Sequence, residues 1–417
     1  MLFLSQKGAR TALWRWKRPE ISVLCNNWNW SWPSEFVEKR EIGNEENSLS
    51  ETEAGRQLFN MRDIAVIIPV NNGSEFLLPC VKSVLLAGER VSEIIIVDDD
   101  STDATLAIAS SLSAEEPRIS VLRTQCYSSY SARLLGIRAA RAPYIAFLDV
   151  DDCYCTGALD MLAGVLESFD ADIAMGGAIE PFTAETIKSC VCPGTAQATT
   201  CVHTPAQIWP RIMKWKTQEF LPYVWNKLYR RELFDRLPEL DRICQGDDLI
   251  LTCGALLRAK RIAETSMPVC LHHVNMLSLT HQGFSDTDLD LIRVWDEVVK
   301  MVDEEDSEEI ASLDMIPSLP YLCCYNRWRT DFTLICRLIL TDDKEADKRY
   351  AKELSTWRTS LNAHWRDLVR PHAMPRNREG LIIALRFFFG PTKALMRIGK
   401  RLTNTEIGVL LHSGDKR

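Results

Sequence analysis

The chain has 417 residues, 46% of them hydrophobic and 25% charged, and a formal net charge of −8. At roughly 100–200 residues per domain, that length holds one large domain or two ordinary ones. The composition is that of a soluble globular protein, the negative balance excludes a general nucleic-acid binder, and no apolar run reaches the ~18–20 residues that cross a bilayer.

Residues 1–60 differ from the rest of the chain. Five Lys/Arg and no acid occupy the first 18 residues, tryptophans cluster at Trp14, Trp16, Trp28, Trp30 and Trp32, and a polar stretch runs from Glu38 to Glu53. No secretory apolar core with a small-residue cleavage site is present. A weakly ordered N-terminal extension is expected. Met61 opens the first convincing strand and is an alternative start of translation.

From Met61 the pattern becomes regular. Ile64–Ile68 reads as a strand closed by Pro69, and Gly73-Ser74 starts an amphipathic helix to about Gly88. Ile94–Val97 is the next strand, and Asp98-Asp-Asp-Ser-Thr-Asp103 follows it. Ser101 or Thr102 is expected to cap a helix through Ala104–Leu112. Ile119–Leu122 is a short third strand, Ser129–Ala142 a helix, and Tyr144–Leu148 a fourth strand. Continuous apolar strands alternating with helices imply a parallel sheet covered on both faces. A helix over Leu159–Phe169 and a strand over Ile173–Met175 come next, then a polar loop over roughly 180–205. Val224–Phe234 passes from extended to helical, Gly246-Asp247-Asp248 opens a helix to Leu257, and Val269-Cys-Leu271 is strand-like. Beyond about residue 287 the chain turns helical, with apolar stripes through Leu289–Val302 and Leu319–Leu340.

Fourteen cysteines show no regular spacing, and several fall in apolar runs. They read as reduced, buried thiols of a cytoplasmic protein. The pairs Cys153/Cys155 and Cys190/Cys192 are too closely spaced for the usual zinc site.

Asp149, Asp151 and Asp152 stand just past the fourth strand. Clustered carboxylates repel unless something positive binds them. A divalent cation with a diphosphate would relieve that repulsion, whereas a solvated acidic turn is the simpler reading of the tripeptide alone. Ligands of such sheets bind outside the carboxyl ends of the strands, where the second acidic cluster, Asp98–Asp100, also falls.

Taken in order, these segments resemble the family 2 glycosyltransferases, which have the GT-A fold, a mostly parallel Rossmann-like sheet flanked by helices. The resemblance covers about residues 62–285. It rests on Val66-Ile-Ile-Pro-Val-Asn-Asn-Gly73, Glu93-Ile-Ile-Ile-Val-Asp-Asp-Asp-Ser-Thr-Asp-Ala-Thr105, Ser131-Ala-Arg133 and Tyr144-Ile-Ala-Phe-Leu-Asp-Val-Asp-Asp152. In the acceptor half it rests on Trp225-Asn-Lys-Leu-Tyr-Arg-Arg-Glu-Leu233 and Gly246-Asp-Asp-Leu249. The chain departs from the pattern at Asn71, Asp100, Ala104, Leu134 and Asp247, and none of these removes a carboxylate the chemistry needs.

The resemblance implies an α/β catalytic domain over 61–285, with a nucleotide half (61–155) and an acceptor half (156–285), and a helical region over 286–417. It implies a divalent cation, Mn²⁺ or Mg²⁺, on Asp151, and donor contacts from Pro69, Asp99, Arg133 and Asp149, with Asp99 facing uracil and Arg133 a phosphate or the base. Asp248 is the implied general base, with Asp247 as a competitor; both also suit a helix N-terminus electrostatically. Asp152 and His273 are weaker site candidates, and His272 and His273 also read as structural histidines. The implied function is inverting transfer from a nucleotide sugar, a uridine diphosphate sugar, to a glycan or lipid-linked glycan of the cell envelope. A catalytically inactive module that binds a nucleotide or a partner is the competing reading. Residues Arg376–Leu402 carry seven Lys/Arg and one acid around apolar runs. They read either as a terminal helix packed on the core or as a basic amphipathic segment on an anionic membrane surface, at the inner face of the plasma membrane.

Overall fold

The apolar runs are strands whose two faces are both covered. In the computed structural model, which describes residues 63–179, 199–217, 222–273, 284–305, 310 and 313–403, β1 (Ile64–Val70), β2 (Val91–Asp99), β3 (Ile119–Thr124) and β4 (Tyr144–Phe147) are parallel neighbours in the order β3-β2-β1-β4. Side chains alternate across a strand, so Ile64, Val66 and Ile68 enter one buried cluster and Ala65 and Ile67 the other. The first cluster takes in α1 (Leu77–Ala87), Ala109 of α2 (Thr105–Glu115) and α4 (Ala158–Ser168). The second takes in α3 (Ser129–Ala139) and α6 (Asp247–Arg258).

The sheet then departs from the parallel expectation. β8 (Lys227–Arg230) lies antiparallel between β4 and β6 (Ile173–Ile179), and β6 runs parallel to β9 (Ile262–Leu271). Two short strands, β5 (Cys153–Tyr154) and β7 (Thr200–His203), pair antiparallel with β9. The short helix α5 (Pro205–Ile212) follows β7 and is held by a capping box from Thr204 and Gln207. Helix α3 ends at Ala139, three residues earlier than its periodicity suggests, because Ala140 turns extended ahead of Pro143. Ser101 and Thr102 do not cap α2. Its first turn is bound instead by Asp103, whose Oδ1 accepts from the Thr105 N–H at 2.9 Å.

The helical region holds α7 (Asp290–Glu304), α8 (Leu319–Thr341), α9 (Lys344–Arg349), α10 (Ala351–Val369), α11 (Arg376–Phe387) and α12 (Phe389–Thr403). Phe332, Ile335 and Ile339 of α8 form a third cluster with Trp357 and Leu361 of α10 and Ile382 and Leu385 of α11. Lys393 and Arg397 of α12 turn inward, and Arg401, itself 69% exposed, pairs back onto the fold. Lys393 and Arg397 each reach Asp347 at 2.8 Å, Arg401 reaches Asp342 at 2.6 Å, and Lys400 donates to the Leu340 carbonyl. Leu395 (69%) and Ile398 (51%) of α12 are exposed, as are Phe387 (55%) at the end of α11 and Phe388 (65%) between the two helices. This reverses the sense expected of a helix presenting its charges to an anionic surface.

Contacts divide the chain between Phe59 and Asn60, and every described residue falls on the C-terminal side. The N-terminal tryptophan cluster, Met61, Cys190 and Cys192 lie outside the described residues.

Candidate active site

The loops that leave β1 and β2 are latched together at the carboxyl edge of the sheet. Asn71 Nδ2 donates to the Asp99 carbonyl at 2.6 Å. The Asn72 N–H donates to Ser101 Oγ, and the Gly73 N–H to Thr105 Oγ1, both at 2.9 Å. A Cβ on Gly73 would stand 2.7 Å from Val70 Cγ2 and 3.0 Å from Val150, so only glycine permits this approach. Asn71, where the family pattern has an aromatic, thus serves as part of the latch. Pro69 lies in β1 beside Val97, one residue before Val70 meets Asp98.

The two aspartates that end β2 point to opposite faces. Asp98 is fully buried, and neither of its oxygens has a hydrogen-bond partner among the described residues; Arg123 Nε stands 3.8 Å away. Asp99 is committed to the backbone. Its Oδ1 accepts from the N–H groups of Cys126 (2.9 Å) and Tyr127 (3.0 Å), and its Oδ2 from that of Ser128 (2.7 Å). Ser128 in turn caps α3 by accepting from the Ser131 N–H at 3.2 Å. Asp99 therefore fixes the start of the helix that carries Arg133.

Arg133 is the hub. It is buried, with its Nη2 2.5 Å from Asp149 Oδ1, and its Nη1 contacts Asp247 and lies 3.1 Å from Asp248 Oδ1. Asp149 follows β4, whereas Asp247 and Asp248 form the first turn of α6. Gly246 enters that helix at φ +86°, and a Cβ there would also stand 3.2 Å from Leu291. Burial pushes the Asp248 carboxyl up to about 7; Arg133 opposes the rise, Asp247 and Asp149 add to it, and Lys227 opposes it.

Lys227, on β8, is buried. Its Nζ donates to Asn226 Oδ1 at 2.8 Å and to the Tyr223 carbonyl, and burial pushes its ammonium down to about 7 while Asp248 pulls the other way. Asn226 is fixed by donating to the Gly176 carbonyl at 2.8 Å.

The remaining acids divide by role. Asp152 is fully buried and ties the end of β4 to the end of β9, accepting the His273 N–H at 2.8 Å beside His272 Nδ1 at 3.1 Å. Burial pushes its carboxyl up to about 7, and the hydrogen bond from His272 opposes that rise. The His272 ring stacks on Trp225 at 5.1 Å and 8°, and the His273 ring lies 5.8 Å from Phe76. Asp151 is held above the usual carboxylate range by burial and then by Asp149.

Among the described residues, no three His, Cys, Asp or Glu side chains gather into a metal cage of their own. Asp151 is, among the described residues, the acid of the cluster whose side chain does not hold another element. A hard cation bound by one or two carboxylates plus substrate phosphates fits such a donor set.

Asp149, Asp151, Asp152, Arg133, Asp247 and Asp248, all marked by the sequence pattern, therefore gather at one edge of the sheet. Lys227 and Trp225 join them, although the pattern gives these two no role of their own, and so does His272, a candidate for a diphosphate or metal contact or a structural histidine. The reading of the cysteines as reduced does not extend to Cys155, which is disulfide-bonded, whereas ten other described cysteines are free.

A mixed sheet with helices on both faces, a helical C-terminal region and its acids at the strand carboxyl ends defines the GT-A class of fold. Residues 65–191 match the family described as glycosyl transferase family 2. The chain is 28% identical over 219 residues to "Uncharacterized glycosyltransferase EpsJ" of Bacillus subtilis (strain 168), covering 52% of this chain and 62% of that protein. It is 29% identical over 229 residues to "Uncharacterized glycosyltransferase YibD" of Escherichia coli (strain K12), covering 53% and 64%. The match thus spans under two thirds of either relative. The crystal structure of S. aureus TarS 1-349 in complex with UDP-GlcNAc shares the fold, with a TM-score of 0.57 and 17% identity over 82% of this chain and 92% of that one.

Proposed function

We propose that the protein is an inverting, metal-dependent glycosyltransferase that moves a sugar from a uridine diphosphate donor to a cell-surface polysaccharide or glycolipid. The observation that carries this reading is Arg133, whose guanidinium lies 2.5 Å from Asp149 on the donor side and 3.1 Å from Asp248 on the acceptor side. A donor-side acid and a candidate base are thereby held one guanidinium apart. The uridine donor is supported by TarS, which has a similar fold and was crystallised in complex with UDP-GlcNAc.

A bound Mn²⁺ or Mg²⁺ would supply Lewis-acid neutralisation of the departing diphosphate, with Asp151 as its protein ligand and Asp149 in its shell or on the ribose. Asp248 accepts the proton of the attacking acceptor hydroxyl. A carboxyl near 7 is a stronger base than an ordinary aspartate, and Arg133 favours its ionised form. A single base opposite the leaving group gives inversion by one in-line displacement. Both terminal nitrogens of Arg133 are engaged by carboxylates, so a phosphate contact there replaces one of them. Asp99 Oδ2 accepts one N–H and keeps one acceptor position for uracil. His273, whose ring lies 5.8 Å from that of Phe76, is assigned a diphosphate contact.

No helix among the described residues is long and apolar enough to cross a membrane. A peripheral place at an anionic membrane is proposed through the exposed Phe387, Phe388, Leu395 and Ile398. The experiment that tests the donor site is calorimetric titration of uridine diphosphate with Mn²⁺ into the wild type and Asp151→Asn. The variant should lose metal-dependent binding and turnover while folding normally. Unchanged Mn²⁺-dependent affinity would sink the assignment, and donor binding by the wild type without transfer or hydrolysis would favour the inactive module.

A further inference from the structure

The helical region and the turn after α5 line an open cavity of about 580 Å³. That volume lies within the ~300–1,000 Å³ typical of ligand pockets. Lys214 and Lys216, from the turn after α5, line one side; Arg329 of α8 and Arg378 of α11 line another, with His372 between α10 and α11. None of the described lining residues is acidic. Glu379, a carboxylate that meets the lining, is buried and paired with His372 Nδ1 at 3.1 Å.

Two features make this a site and not a loose scatter of surface cations. The turn that carries the lysines is anchored, because the Trp215 ring packs edge-on against Tyr325 of α8 at 4.8 Å and Lys216 Nζ lies 5.8 Å from that ring. The cavity also opens onto the start of α11, a 12-residue helix whose N-cap, Pro375, lines the cavity and offers no side-chain cap. A helix N-terminus presents unpaired N–H groups and a positive dipole end. Several cations converging with such an end on a concave surface suit a multiply charged oxyanion, which guanidinium groups bind in a fork and ammonium groups as point charges.

We propose that this cavity binds a phosphate-type oxyanion, carried by the acceptor or by a lipid headgroup. The link to an acceptor rests on the glycosyltransferase reading; the binding itself does not.

The test uses the full-length protein in EDTA, so that no divalent cation assists the donor site. Inorganic pyrophosphate is titrated at constant ionic strength, with sodium chloride as control, into the wild type, Lys216→Glu/Arg378→Glu and the milder Lys216→Gln/Arg378→Gln. The wild type should bind pyrophosphate. Both doubles should bind at least about tenfold more weakly, the scale expected when two charge-assisted contacts are lost, while keeping the wild-type melting temperature and Mn²⁺-dependent uridine diphosphate binding. Glucose 1-phosphate and phosphatidylglycerol vesicles then compete for the site; competition by the first assigns the anion to an acceptor, by the second to a headgroup. Equal pyrophosphate affinity in wild type and doubles, or a wild-type response reproduced by sodium chloride, overturns the anion site. Failure of the wild type to bind uridine diphosphate with Mn²⁺ would instead count against the donor site and leave the pyrophosphate result standing.

Discussion

Arg133 Nη1 lies 3.1 Å from Asp248 Oδ1, and through that contact the helix after β3 holds the helix after β8. The same guanidinium is 2.5 Å from Asp149 and touches Asp247, while being only 4% exposed. Removing one partner of a buried ion network leaves the others uncompensated, which typically costs about 3–5 kcal/mol. Asp149 is partly exposed, so the lower end applies. Arg133→Met, which keeps much of the volume, should lower stability to urea by on the order of 3 kcal/mol and abolish activity. A variant as stable as the wild type would mean that the three carboxylates do not depend on this charge.

Asp248 should set the pH dependence of the rate. Burial raises its carboxyl to about 7, and a base works only when ionised. The kcat/KM of the wild type should therefore rise with pH through about 7 and level off above it. Asp248→Asn should lower kcat by at least ~10²-fold, the scale of lost general-base catalysis, and remove the ascending limb, with donor affinity nearly intact. Collapse of donor affinity with the saturated rate preserved would move Asp248 to the donor site.

Much of the fold and site is legible in the sequence because apolar runs and acidic strand ends are local patterns. The strands β1 to β4 and the helices between them announce themselves by burial on both faces. β8 does not, since Lys227-Leu-Tyr-Arg230 carries a cation at each end and reads as motif, not as a central strand. The burial of Lys227 depends on its partners Asn226 and Tyr223 and on the covering sheet, none of which periodicity reveals. At Asp99 the residue type is visible but its use is not, because the N–H groups it accepts come from residues 126–128, a loop away. The tail is helical and amphipathic, as its pattern indicates. Which side faces outward is decided by Asp342 and Asp347, dozens of residues upstream.

Asp152 should make the metal-free protein more stable in mild acid than at alkaline pH. Burial raises its carboxyl to about 7, against an unfolded value of about 3.9. A group whose pKa is higher in the folded state contributes stability that is fully present below the unfolded value and lost as pH rises through the folded one. Asp248 acts in the same direction, and Lys227, whose ammonium is pushed down to about 7, opposes the fall only above that pH. In EDTA the melting temperature should therefore fall between pH 5 and pH 8, and Asp152→Asn should flatten much of that slope. A wild-type melting temperature that climbs steadily across this range would refute the assignment.

Truncation after Asn377 should affect stability and membrane binding through different residues. It removes Ile382 and Leu385, both buried in the third cluster, and burying such an aliphatic side chain is worth about 1.5–3 kcal/mol. It also removes the contacts of Lys393, Arg397 and Arg401 with Asp347 and Asp342. A lower melting temperature is expected on both grounds, whatever the tail does at a membrane. Phe387→Ser/Phe388→Ser isolates the second role, since these rings are 55% and 65% exposed and their loss leaves the inward ion pairs in place. The double variant should keep the wild-type melting temperature and lose flotation with anionic vesicles. Because Lys393, Arg397 and Arg401 of α12 are paired with acids of the fold, binding should weaken only modestly as salt rises, unlike that of an open polybasic segment. Equal flotation of the double variant and the wild type, or no flotation of the wild type at low salt, would show that these helices serve the fold alone.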